Sequence, residues 1–230
     1  MTGTIVNAIS IIAGSLLGLL FKKGIPERYK KTVMQAICLA VILIGLKGAF
    51  QSNDLLVIII SLALGSILGE FIGIEDRLER LGQWLEKRLS GESGSFSKGF
   101  VTASLVYCVG SMAIVGSFES GLTGNHQTLF AKSALDGITA VIFTSSMGIG
   151  VLFSAVPVFI YQGFLTLTAG LIKPYLVATV ISQMTATGGL LIAAIGINML
   201  GVVKIRVGNM LPAIFIPLVY YLLQLLVAGY

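Results

Sequence analysis

Apolar residues run along this chain in long stretches that do not alternate, separated by short polar ones. The stretches are about 18–25 residues long, the length a helix needs to cross a hydrocarbon core of roughly 30 Å. A membrane barrel strand would alternate in polarity residue by residue. Backbone in lipid must satisfy its own hydrogen bonds, so the pattern predicts helices. Eight spans are expected, over residues 3–21, 33–52, 54–73, 99–117, 130–153, 155–172, 175–200 and 208–227. Between the fifth and sixth only Ser154 to Pro157 interrupts the run, and a long re-entrant pair is the other reading there. Pro157 falls in a first helical turn, where proline is tolerated. Pro212 and Pro217 should kink the eighth span.

One stretch keeps a different period. Ile74, Leu78, Leu81, Leu85 and Leu89 recur at helical spacing among charged residues. Its acids, Glu75, Asp76, Glu79 and Glu86, balance Arg77, Arg80, Lys87 and Arg88. Residues 74–90 therefore read as an amphipathic helix lying on the membrane with Trp84 at the headgroups, or pairing with a copy of itself. Residues 91–97 (GESGSFS) read as a flexible linker.

Composition supports lipid as the main solvent. Hydrophobic residues make up 56% of the 230, charged ones 11%, and the mean hydropathy is +0.97. A soluble domain carries roughly 25% charged residues. The pI of about 9.3 does not point to nucleic acid, because the cations flank apolar spans. They cluster at Lys22, Lys23, Arg28, Lys30 and Lys31; at Arg77, Arg80, Lys87, Arg88 and Lys98; and at Lys204 and Arg206. With eight spans all three clusters fall on one side, which the positive-inside rule makes the cytoplasm. Both termini are then outside, with Lys47, Lys132 and Lys173 at outer ends. The first span lacks a basic residue before it, unlike a secretory signal, and reads as retained.

Glycines fall in two ordered rows. Gly3, Asn7, Ser10, Gly14 and Gly18 share one small and polar face of the first span, and Ser61, Gly65, Gly69 and Gly73 form a ridge on the third. Such rows let helices approach closely, within one chain or between copies in a homo-oligomer. The first and fourth spans also match at Gly3, Gly14, Ser15 and Gly24 against Gly99, Gly110, Ser111 and Gly121. The match points to an inverted three-span repeat, a common device of transporters.

Candidate chemistry is sparse. Cys38 and Cys108 lie apart in apolar segments and read as core residues. His126 is the only histidine and sits in a loop, which excludes histidine-based metal clusters. No nucleotide-binding, nucleophile or haem motif is present, so neither an enzyme nor a cofactor is expected. Asp136 stands about two turns into the fifth span, with Lys132 one turn before it. An acid in lipid is costly and normally faces a partner or a cavity. The pair reads either as a structural ion pair with Lys132 snorkelling outward, or as a coupling site for a cation or proton with Lys132 tuning Asp136. Residues 116–124, rich in glycine, read as an outer loop or as irregular backbone dipping into the membrane; in the second case Glu119 joins Asp136. Asn7, Gln162 with Thr166, Gln183 and Asn198 add polar groups to other spans, each an interhelical hydrogen bond or part of a shared polar path. Glu70, at the end of the third span beside Arg77, reads as interfacial.

The strings GTIVNAISIIAGSLLG from Gly3, GLTGN from Gly121, KSALDG from Lys132 and SAVPVFIYQG from Ser154 resemble the YdfK/YqgA family of small bacterial inner-membrane proteins. The likeness covers essentially the whole chain. It implies a multi-pass protein of the bacterial plasma membrane and carries over no activity or site residue. The expectation is an all-α, polytopic membrane protein, a single transmembrane domain over 1–230, that passes a small solute or ion. Asp136, Lys132, Asn7, Gln162, Asn198 and Glu119 are the candidate path residues. The competing class is a non-transporting sensor or assembly partner that docks through helix 74–90.

Overall fold

The computed structural model describes residues 1–22, 27–89, 95–109, 111–172 and 175–227, and among these no strand occurs. The first four helices are α1 (Thr2–Lys22), α2 (Glu27–Ala49), α3 (Leu55–Ile72) and α4 (Ile74–Leu89). Then follow α5 (Ser95–Cys108), α6 (Ser111–Leu122), α7 (Gln127–Met147), α8 (Gly150–Phe153) and α9 (Ala155–Ile172). The chain ends with α10 (Ala178–Leu200), α11 (Val207–Met210), a 3-10 segment (Leu211–Phe215) and α12 (Ile216–Val227). Five stretches are long and apolar enough to cross a membrane, and the bent pair α5 and α6 passes the same test only when the two are taken together. The chain is thus an all-α, polytopic membrane protein. The other two expected spans are also helices. The apolar part of α2 is short, Met34–Ala49, and α7 carries Lys132 and Asp136.

Three expected boundaries shift. The fourth span is not straight: α5 and α6 meet at a bend of 58°. Gly110 between them, Gly24 and Lys173 lie outside the described residues. Residues 116–122 are neither loop nor irregular backbone, because α6 runs through them to Leu122. Glycine costs a helix about 1 kcal/mol against alanine, but here it lets other elements in. Gly116 abuts Thr128 and Leu129, and Gly121 abuts the Thr166 carbonyl. The fifth span ends at Met147 rather than near Ser154. Gly148 has φ 87° and ψ −169°, a conformation essentially closed to residues with a Cβ. The chain breaks there, and α8 leads into α9 instead. The expected linker is outside the described residues at 91–94, and Ser95 to Ser97 already belong to α5.

Two compact units emerge. The first comprises Met1–Ile37, Asp76–Cys108 and Met112–Gly170. Its spine is α1 laid along α7. Of the α1 face predicted from spacing, Gly3, Asn7, Gly14 and Gly18 are buried and Ser10 is half-buried, while Thr4, Ile11 and Ser15 beside it are buried as well. A Cβ on Gly14 would overlap the Gly137 carbonyl, and one on Gly18 would stand 2.5 Å from the Val141 carbonyl oxygen. The backbones touch because these side chains are missing. Nearby, Gly150 of α8 rests on Phe96 of α5, whose ring lies 5.3 Å from that of Phe153.

The second unit comprises Cys38–Glu75, Val109–Ser111 and Leu171–Tyr230. The ridge of α3 is a packing ridge: Gly65 meets Ala213 and Gly69 meets Asn209. Gly73 ends α3 in the left-handed conformation, φ 68°, and returns its N–H to the carbonyls of Gly69 and Glu70. Gly45 and Gly48 of α2 meet Gly189 of α10 in the same way. Pro212 lies at the start of the 3-10 turn that interrupts the last span between α11 and α12, and Pro217 falls in the first turn of α12. The glycine rows considered for self-association are therefore filled by the chain's own helices.

Candidate functional site: a buried polar network of α1, α7 and α9

Polar side chains from three helices of the first unit converge. Asp136 of α7 accepts from the Lys132 ammonium at 2.5 Å and from the Asn7 amide Nδ2 of α1 at 3.0 Å, both at the same carboxylate oxygen. The Asn7 Nδ2 also donates to Gln162 Oε1 of α9 at 3.3 Å. About one turn along both helices, the Thr4 and Thr166 hydroxyls pair at 3.4 Å. Helical periodicity places every member: Thr4 precedes Asn7 by three residues, Lys132 precedes Asp136 by four, and Gln162 precedes Thr166 by four.

Burial is nearly complete. Asn7 and Gln162 are 0% exposed. The side chains of Lys132 and Asp136 are 7% and 9% exposed, so Lys132 does not snorkel. Its ammonium instead lies 5.9 Å from the centre of the Tyr107 ring, a distance at which the ring face still attracts a cation. Tyr107 in turn stacks on Phe143, 6.1 Å between centroids. An isolated charge pays a large desolvation penalty in such surroundings, and this pair is held by mutual attraction plus the Asn7 amide.

The amide orientations follow from the chemistry. Turning Asn7 over would set its oxygen against the Asp136 carboxylate, so Nδ2 faces Asp136. With Gln162 Oε1 accepting from that same nitrogen, its own Nε2 points elsewhere. The result is that Asn7 Oδ1 and Gln162 Nε2 have no hydrogen-bond partner among the described residues. A buried amide group left unpaired costs about 1–3 kcal/mol. The network therefore holds one open acceptor and one open donor beside an ion pair, among the described residues.

The other candidates are placed elsewhere. Asn198, near the end of α10, brackets Ile205: its Nδ2 donates to the Ile205 carbonyl at 2.6 Å and its Oδ1 accepts from the Ile205 N–H at 2.7 Å. It clamps the turn before α11 and its hydrogen bonds are spent there. Asn198→Ala is expected to cost about 1–3 kcal/mol of stability and to leave any solute response intact; a thermal melt with and without solute checks both. Glu119 accepts from the Thr128 hydroxyl at 2.6 Å. Gln183 donates to Asp54 at 3.0 Å, and His126 pairs with the Ser120 hydroxyl at 2.9 Å. Glu70 is more than interfacial. It accepts from Arg206 and from Asn209 Nδ2, while Asn209 Oδ1 receives the Glu75 N–H at 2.8 Å.

Tyr107 and Asn209 were not singled out from sequence. A phenol in an apolar span looks like any core aromatic, and only the approach of Lys132 distinguishes it. Asn209 stands three residues before Pro212, where a polar residue reads as a turn.

Comparison with known proteins finds matches over nearly the whole chain. The chain is 35% identical over 221 residues to the "Uncharacterized membrane protein YdfK" of Bacillus subtilis (strain 168), covering 94% of each chain. It is 31% identical over 221 residues to the "Uncharacterized protein YqgA" of Escherichia coli (strain K12), covering 93% of each. No solved structure shows a significant match. The model of the family described as "Protein of unknown function (DUF554)" matches residues 2–222. The resemblance read from KSALDG and its companion strings holds, and the chain belongs to the DUF554 family.

Proposed function

We propose that this membrane protein passes a small polar solute or ion across the bacterial plasma membrane, coupled to a cation or proton at Asp136. The observation that carries this reading is the buried network itself: an acid, its cation and two amides on three helices, with Asn7 Oδ1 and Gln162 Nε2 open. A purely structural ion pair needs no open donor and acceptor beside it. An arriving cation or proton would compete with the Lys132 ammonium for the Asp136 carboxylate, and a solute would bridge the two amides.

The same reading has the chain cross the bilayer eight times, with both termini outside and the basic clusters in the cytoplasm. Support comes from α7. Its 21 residues reach about 32 Å at 1.5 Å each, enough for a crossing, and its two charges face protein rather than lipid. Composition alone understates such a helix.

Thermal unfolding of the purified protein over a panel of ions and small metabolites tests the proposal. A ligand at about 100 times its Kd raises stability by roughly 2.7 kcal/mol, readily seen as a shifted melt. The shift should vanish in Asp136→Asn measured against its own baseline. An undiminished shift in that variant would remove Asp136 from the site, and absence of solute-dependent flux in proteoliposomes would sink transport.

A further inference from the structure

The charges of α4 balance in sequence but not in space. Glu75 and Glu86 are buried and Glu79 is half-buried, whereas Arg77, Arg80, Lys87 and Arg88 are all exposed. Asp76 is the one exposed acid of this helix among the described residues. Glu75, Glu79, Gly82 and Glu86 recur at 4, 3 and 4, so they share one helical face. That face is turned to the protein: Gly82 lies against Ser97 and Phe100 of α5, and Glu75 accepts from the Gly208 N–H at 3.0 Å. Between the outward cations stand Leu81, 45% exposed, and Trp84, 50% exposed. The Arg88 guanidinium sits 4.7 Å from the centre of the Trp84 ring.

We propose that this outward face of α4 binds the anionic phospholipid headgroups of the leaflet on which it lies. Connectivity puts the helix at that level. Only Gly73 separates α4 from α3, and α3 is an 18-residue span. A helix that starts one residue after a crossing ends starts at the interface. Tryptophan is enriched at that depth, with its ring at the headgroups, and leucine beside it reaches the acyl boundary. Four cations with one acid among them give the face a net positive charge. Arginines offer paired N–H groups to phosphate oxygens. A zwitterionic surface offers no net countercharge to this net positive face, so anionic lipid is the occupant that fits. Self-pairing of α4 would bring eight such cations together, four from each copy, and is disfavoured by the same count.

Trp84 is the only tryptophan in the chain, so intrinsic fluorescence reports this face alone. The full-length protein is placed in nanodiscs of phosphatidylcholine, or of phosphatidylcholine with one-third phosphatidylglycerol, and quenched with aqueous acrylamide. The anionic discs are expected to lower the quenching constant by about twofold or more and to shift emission to shorter wavelength. High salt should reverse most of that difference. Substituting Arg77, Arg80, Lys87 and Arg88 together by glutamine should abolish it without changing the melt, since all four are exposed. Equal quenching in both lipids overturns the proposal, as does a lipid dependence that survives the fourfold substitution. Protection that is equal in both lipids and rises with protein concentration in detergent assigns the face to a second copy and overturns it too.

Discussion

Asp136→Ala is expected to destabilise the protein by about 3–5 kcal/mol, because it strands the Lys132 ammonium in the packed interior of its unit. Lys132 has no route to solvent by simple extension, with its side chain 7% exposed. Replacing both residues by apolar ones of similar size, Asp136→Leu with Lys132→Met, should recover most of the loss. The remainder, about 1–3 kcal/mol, is assigned to the Asn7 amide left without its carboxylate. A reversible unfolding titration of four proteins, the parent, Asp136→Leu, Lys132→Met and the double variant, gives the coupling energy directly. The same four proteins separate structure from function. If the pair serves transport, the double variant folds and is unresponsive to solute. A double variant that still responds would make the pair a scaffold.

Gly14→Leu is the second large effect. The obstacle its side chain meets is the Gly137 backbone carbonyl, which no rotamer change removes. Overfilling an ordinary core costs about 1–3 kcal/mol, and here α1 and α7 must also part, breaking the Asn7 contact to Asp136. The loss should exceed that range, with Gly14→Ala intermediate. Gly170→Ala is the control, since no described residue comes within 4 Å of a Cβ there. A Gly14→Leu protein that melts with its parent would mean that the two helices stand further apart than found.

Features repeated along one helix were legible in the sequence. The small face of α1 was visible because Gly3, Asn7, Gly14 and Gly18 keep helical spacing, and burial follows it. Asp136 stood out because acids are rare within spans. What joins helices was not legible. Asn7 and Asp136 are 129 residues apart, and nothing in either span names the other. Asn198 illustrates the converse. An amide in an apolar run looks like a path residue, yet it lies three residues before Gly201, whose left-handed φ of 76° ends the helix. Its partner is a backbone group beyond that turn, which has no side-chain signature. Gly148 was hidden among 28 glycines, only four of which take a positive φ among the described residues. In α4 the leucine repeat masked a second repeat of acids, so the helix read as neutral until burial separated its charges.

The contact between α1 and α7 also imposes a schedule on synthesis. At about 5–20 residues per second, the 129 residues between Asn7 and Asp136 take about 6–26 s to make. On the proposed topology α1 then waits in the bilayer for that interval without α7 on its glycine face. It is apolar enough to wait alone, whereas α7 bears two charges, each of which costs roughly 2.5–3.5 kcal/mol at a helix centre. On the proposed eight-span topology the late helix enters a membrane in which its seat is already present. The groove of α1 acts as a receptor for a segment that inserts poorly unaided, and a nascent chain cut short before Gln127 keeps that receptor empty.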